Sequence, residues 1–195
     1  MTIVSLLSHL GVQVPRGVTV DGRILTLSQA AAMGTRVHEL VPQTFHGGAD
    51  PETDETAVSW WEASPKAKRA HVLAMGSAFP GFVLLDESGS YDWIGEINTG
   101  RGRFKMLVGG SAGRRIPTVR PLLPSHLGRS VRGLYCPSDH LFLSGARCLA
   151  DDREWDPDVH NTVTAVGWAA HWFAAYTEWR INGIWPTPGY CGHAA

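Results

Sequence analysis

Cysteine is scarce in this chain: three in 195 residues, an odd number. That argues against a disulfide framework and for a reducing cytoplasm. Long apolar runs are missing as well. No stretch reaches the ~20 residues that a bilayer-spanning helix needs, so no membrane partner is expected. The apolar start from Met1 lacks a basic segment and is broken by Ser5, Ser8 and His9, so no signal peptide is expected. Charge of one sign is absent too. Seventeen basic residues stand against eighteen acidic ones, a formal net charge of −1, which gives no electrostatic reason to expect nucleic acid or an anionic surface as partner. Neither a Ser-His-Asp arrangement nor a phosphate-loop motif is found, so there is no sign of ATP use and no cofactor is expected.

Tryptophan, by contrast, is plentiful. Four of the eight lie between Trp168 and Trp185, so the C-terminal third should carry much of the core. The length suits one domain with an extension. We divide it into an N-terminal extension, residues 1–50, and a main domain, residues 51–195.

Taken in order, Ile3 to Leu10 has helical spacing that Gly11 ends. Val18 to Leu25 reads as a hairpin turning at Asp21-Gly22. Ser28 is expected to cap a helix running to about Leu40, closed by Pro42. The Gly-, Asp-, Thr- and Pro-rich run Thr44–Thr56 reads as a linker. A helix from near Asp54 carries Trp60 and Trp61. Pro65 interrupts it, and with Ser64 as cap a second helix continues to about Ala78. Lys66, Lys68 and Arg69 at its start oppose the helix dipole and suit a surface role.

The period then changes from helical to alternating. Phe82–Leu85, Tyr91–Asn98 and Phe104–Val108 read as strands joined by short turns. Ile116–Leu123 is a fourth run, which its prolines push to a sheet edge. From Val159 to Trp179 apolar residues nearly encircle a helix, with Asp156 as cap and Pro157 in its first turn. His160, Thr164, Gly167, His171, Ala175 and Glu178 leave one narrow polar stripe, expected at the surface. Asn182-Gly183 ends the helix. Helix, four-stranded antiparallel meander, irregular segment and long helix make an α+β fold, helices packed on one face of the sheet.

The irregular segment, Tyr135 to Trp155, carries the chemistry. A turn signal at Ser144-Gly145 precedes Cys148, and His140 lies eight positions upstream. A cysteine on irregular backbone after a tight turn reads as a nucleophile, set against the common fate of an inert buried thiol. Cys136, His140, Cys148 and His160 are zinc-ligand types. Their spacings fit no common motif and come from three separate elements, so no metal is expected.

From about Phe82 to Ile184 the chain resembles ubiquitin-conjugating enzymes. It is most similar to the bacterial members encoded in anti-phage operons such as the cyclic-oligonucleotide (CBASS) systems. The resemblance rests on Tyr91-Asp92-Trp93-Ile94-Gly95-Glu96-Ile97, on the prolines from Pro117 to Pro124, and on Gly145-Ala146-Arg147-Cys148-Leu149. Trp155 with Pro157, and Tyr176, Glu178, Trp179, Gly183 and Trp185-Pro186, complete it. The eukaryotic His-Pro-Asn tripeptide falls on Ser138, Asp139 and His140, and only His140 offers a polar substitute, for the Asn. The first ~50 residues align with nothing in the family.

The resemblance implies a ubiquitin-conjugating (UBC-like) fold and a thioester on Cys148, a nucleophile and leaving group suited to neutral pH. The acyl cargo would be the C-terminus of a cyclic-nucleotide-synthesising nucleotidyltransferase or of a ubiquitin-like protein. The chain carries no adenylating domain, so a separate activating enzyme is implied unless the cargo arrives by another route. His140 would give a hydrogen bond to the tetrahedral oxyanion, or pin the loop through backbone carbonyls, and one residue can do both. The rival class is a non-catalytic binding module on the same fold, since a fold alone does not fix activity.

Overall fold

A computed structural model describes residues 15–40, 60–85, 90–110, 115–138, 140–141, 149–150 and 152–186. The Ile3–Leu10 helix, the Thr44–Thr56 linker, the helix start near Asp54 and the tail beyond residue 186 lie outside the described residues. No helix among those described is long and apolar enough to cross a membrane.

The hairpin forms as the sequence dictates. Strands β1 (Arg16–Thr19) and β2 (Ile24–Thr26) pair antiparallel around Asp21-Gly22, with Gly22 at φ +77°. A side chain at Gly22 would collide with the Glu96 carbonyl oxygen, so the turn is packed flush against the larger sheet. The next helix, α1 (Leu27–Ala32), is capped by Thr26 rather than Ser28. The Thr26 Oγ1 accepts from the Gln29 N–H at 3.1 Å, and Gln29 Oε1 accepts from the Thr26 N–H at 3.0 Å. This reciprocal box ties down two N–H groups that the helix itself leaves unbonded. The helix stops at Ala32 instead of reaching Leu40, because β3 (Val37–Glu39) turns back to pair with β1 in a three-stranded sheet ordered β2-β1-β3.

A short helix α2 (Trp60–Ala63) precedes α3 (Pro65–Ala78). Ser64 Oγ accepts from the Ala67 N–H at 3.4 Å, with Pro65 in the first turn. Strands β4 (Val83–Leu85), β5 (Asp92–Asn98), β6 (Arg103–Gly109) and β7 (Thr118–Leu123) form one antiparallel sheet in sequence order. The alternation read from the sequence sorts its faces. Trp93, Ile97, Phe104, Met106, Val108 and Val119 point inward and are buried, while Glu96, Arg103, Lys105 and Arg120 face outward. Proline-bearing β7 lies at the sheet edge, where a missing N–H breaks no ladder.

One element escaped the sequence reading. Strands β8 (Gly128–Val131) and β9 (Leu134–Pro137) form a separate two-stranded hairpin. Its Arg132-Gly133 turn has positive φ at both residues, 52° and 82°, the geometry that matches strand twist in tight hairpins.

The long helix α4 (Thr162–Asn182) is unbroken and sits on the inner face of the sheet, where Phe173 stacks on Phe104 at 4.5 Å between centroids. Trp168 is 8% exposed and Trp172 fully buried. The helix begins after the expected Pro157 turn. Asn161 is the cap, its Oδ1 accepting from the Val163 N–H at 2.8 Å and the Thr164 N–H at 3.4 Å. Residues 157–159 form a turn instead.

The polar stripe of α4 is not a solvent face, because the N-terminal sheet covers it. Ala175 is buried, and a side chain at Gly167 would touch the His38 ring at 3.0 Å. Arg101 Nη1 binds both Glu178 oxygens at 3.2 Å, and Arg16 is drawn to the same carboxylate. Between these groups burial, reinforced by the positive charge of Arg16, pushes the pKa of the His171 imidazole down to about 4. Burial alone moves His38 in the same direction.

His171 is therefore neutral in the folded chain across a range where the unfolded chain binds a proton. Stability should be fully present above an ordinary imidazole pKa near 6.5 and fall as the pH drops toward 4. Each tenfold drop in proton affinity corresponds to about 1.4 kcal/mol, so the loss reaches roughly 3 kcal/mol. Urea denaturation at pH 7 and pH 4.5 measures it, and His171→Gln should flatten the decline. An unchanged decline in that variant would assign the acid sensitivity to other groups.

Candidate functional site

Of the two residues singled out for chemistry, His140 is described and Cys148 lies outside the described residues, as does Cys191. The near neighbours of Cys148 on its C-terminal side are anchored: Leu149 is 2% exposed and Ala150 5%. Upstream, Leu141 packs against the same core. Cys136, the described cysteine, is half-buried on β9, paired across the hairpin with Arg129.

His140 is 2% exposed. Its ring meets Trp185 nearly perpendicular, 82° at 4.5 Å between centroids. Beside it, the Ser138 N–H donates to the Leu127 carbonyl at 3.1 Å. The buried Ser138 hydroxyl has no hydrogen-bond partner among the described residues. The hairpin that precedes this loop is fastened to the helix through its first strand: the Tyr176 hydroxyl donates to the Gly128 carbonyl at 2.9 Å and accepts from the Gly128 N–H at 3.1 Å. Arg129 lies over the Trp179 ring at 5.4 Å. His140 thus follows a hairpin that is tied to α4, and it rests against Trp185 just beyond the end of that helix.

Trp155 and His160, the other aromatic markers of the segment, hold the turn before α4. The His160 Nδ1 accepts from the Asp156 N–H at 3.0 Å, and its ring sits 5.4 Å from Trp155 and 5.1 Å from Trp168. His160 is thus brought to the helix start and Cys136 to the hairpin. Among the described residues no three His, Cys, Asp or Glu side chains gather as a metal site.

The sequence reading also missed an open pocket at the start of α4, between α3, the end of β6 and the Trp155–Pro157 turn. Trp60 and Tyr91 form apolar walls, and Arg115 lines it too. Its floor is polar: His71 Nδ1 lies 3.3 Å from the Thr162 Oγ1, and the Tyr91 hydroxyl 3.5 Å from the same atom. Nothing in the linear spacing of Trp60, Tyr91, Arg115 and Thr162 announces this meeting of four segments.

Antiparallel sheets and a long buried helix packed on the larger of them make this a mixed α/β protein. Comparison with known families is more particular. Residues 71–193 match the family of the Type II CBASS E2 protein, and the chain belongs to that family. The match begins within α3, so the N-terminal sheet lies before it. No curated protein matches, and no solved structure does. Membership suggests a role in CBASS anti-phage defence with E2-like conjugation, alongside other CBASS proteins such as the nucleotidyltransferase system.

Proposed function

We propose that the chain is a UBC-fold, thioester-forming acyl carrier. The observation that carries this reading is the family match, which encloses Cys148 within Gly145-Ala146-Arg147-Cys148-Leu149. In the first step the Cys148 thiolate attacks the activated C-terminal carbonyl of a nucleotidyltransferase or ubiquitin-like protein. The C–S bond forms and the upstream leaving group departs. In the second step an amine attacks the thioester, the C–N bond forms, the C–S bond breaks, and the thiolate leaves while the amine's proton passes to solvent. Both steps pass through a tetrahedral oxyanion, and His140 gives it a hydrogen bond. The burial of His140 against Trp185 supports the pinning role equally well, and the two are compatible in one side chain.

The carrier domain on this reading is residues 51–195, with residues 1–50 an extension. A separate activating enzyme supplies the cargo in activated form. The reaction belongs in the cytoplasm, where thiols stay reduced. Incubating the protein with its operon's nucleotidyltransferase and an activating enzyme should give an adduct that thiol reductants cleave, seen by mass spectrometry. Tight cargo binding with no thioester, in the presence of a competent activating enzyme, would replace the carrier with a non-catalytic binding module.

A further inference from the structure

The chain reverses at the end of α4 so that Trp185 falls back on the helix. Gly183 caps the helix in the left-handed region, φ +81°, its N–H donating to the Trp179 carbonyl at 2.7 Å. A side chain there would strike the Arg129 guanidinium, so the reversal needs glycine for its backbone and for the space. Trp185 then stacks on Trp179 at 5.6 Å and 21°, and meets Trp172 at 5.6 Å and 56°. Arg129, over the Trp179 ring, closes the stack. The Trp185 indole is thus fixed against Trp172 and Trp179 of α4, and His140 rests against it.

We propose that Trp185 is the positioning residue for His140, fixing the direction in which the imidazole offers its N–H. This rests on the reading of His140 as a donor to the oxyanion. Such a donor works only if held to within about 0.5 Å and 10–20°. An imidazole free to turn about its side-chain bond offers its nitrogens in several directions. A Trp ring perpendicular to it at 4.5 Å blocks that turning. A Trp that merely filled the core would stabilise the fold without acting through His140, and the two roles separate experimentally.

Single-turnover discharge of the Cys148 thioester should slow by roughly 10- to 100-fold in Trp185→Ala, the scale of a misplaced catalytic group, while Trp185→Phe keeps most of the rate. In a His140→Ala background, Trp185→Ala should cause no further loss, because the tryptophan then has nothing to position. Residual dipolar couplings of the His140 ring should report one fixed ring orientation in the wild-type and Trp185→Phe proteins, and an averaged orientation in Trp185→Ala. Thermal melting identifies any variant that fails to fold, and Trp185→Leu then takes its place. Equal slowing in the presence and absence of His140, or unchanged ring couplings, overturns the proposal. Should the wild-type protein form no thioester, the carrier reading fails first, and the ring couplings alone decide whether Trp185 orients His140.

Discussion

Cys148→Ala should leave no reductant-sensitive adduct, while non-covalent affinity for the cargo stays as in the wild-type protein. The effect is total because alanine offers no nucleophile at this position. A hydroxyl or amine lacks the thiolate's reactivity near neutral pH, and an oxygen ester is a poorer acyl donor. Cys148→Ser follows the same logic and should accumulate a slower, more persistent ester. Cys136 provides an internal control. It sits half-buried on β9 opposite Arg129, and Cys136→Ala should leave adduct formation intact. Intact-mass measurement of all three variants checks these outcomes. Loss of the adduct in Cys136→Ala with retention in Cys148→Ala would transfer the assignment to the hairpin.

The second large effect is kinetic. His140→Ala should slow transfer by roughly 10²–10³-fold, the usual consequence of removing one oxyanion donor. Cargo affinity should not change, since the hydrogen bond strengthens only as negative charge develops on the carbonyl oxygen. The surroundings of His140 supply the competing outcome. With the ring 2% exposed against Trp185, its removal opens a cavity beside that tryptophan, and a purely structural histidine would show itself as a drop in melting temperature with the single-turnover rate unchanged. Parallel thermal scans and single-turnover assays on the same preparation distinguish the two.

The parts of the fold legible in the sequence were those governed by local physics. Alternation in Trp93–Asn98 and Arg103–Val108 placed the two central strands and assigned their faces. Ser64-Pro65 fixed the start of α3, and Asn182-Gly183 fixed the end of α4. The parts that were missed depend on contacts between distant segments. Nothing near Val37 signals that it pairs with Thr19, so α1 was read through to Leu40. Asn161 took the capping role from Asp156 because the chain makes a turn after Pro157 before the helix begins. The hairpin β8–β9 turns on an arginine in the left-handed region, a conformation that sequence reading assigns to Gly, Asn or Asp. The α4 stripe was read as a surface because polar residues seldom face another element. Here they meet Arg16 and His38 of the N-terminal sheet and Arg101 of the turn between β5 and β6. At the candidate site, sequence singled out His140 by its distance from Cys148. Its enclosure by Trp185, 45 residues downstream, became apparent only from the geometry.

The placement of β1–β3 on α4 also sets an order of events during synthesis. Arg16 leaves the ribosome long before His171, at ordinary translation rates by on the order of ten to thirty seconds. Throughout that interval the three-stranded sheet has no helix to cover it, and Val18, fully buried in the finished molecule, has no core to enter. Contacts joining the two ends of a chain form late and slow folding as a whole. The nascent N-terminal segment thus stays uncovered until α4 has been made, and closure of this part of the core waits on that helix.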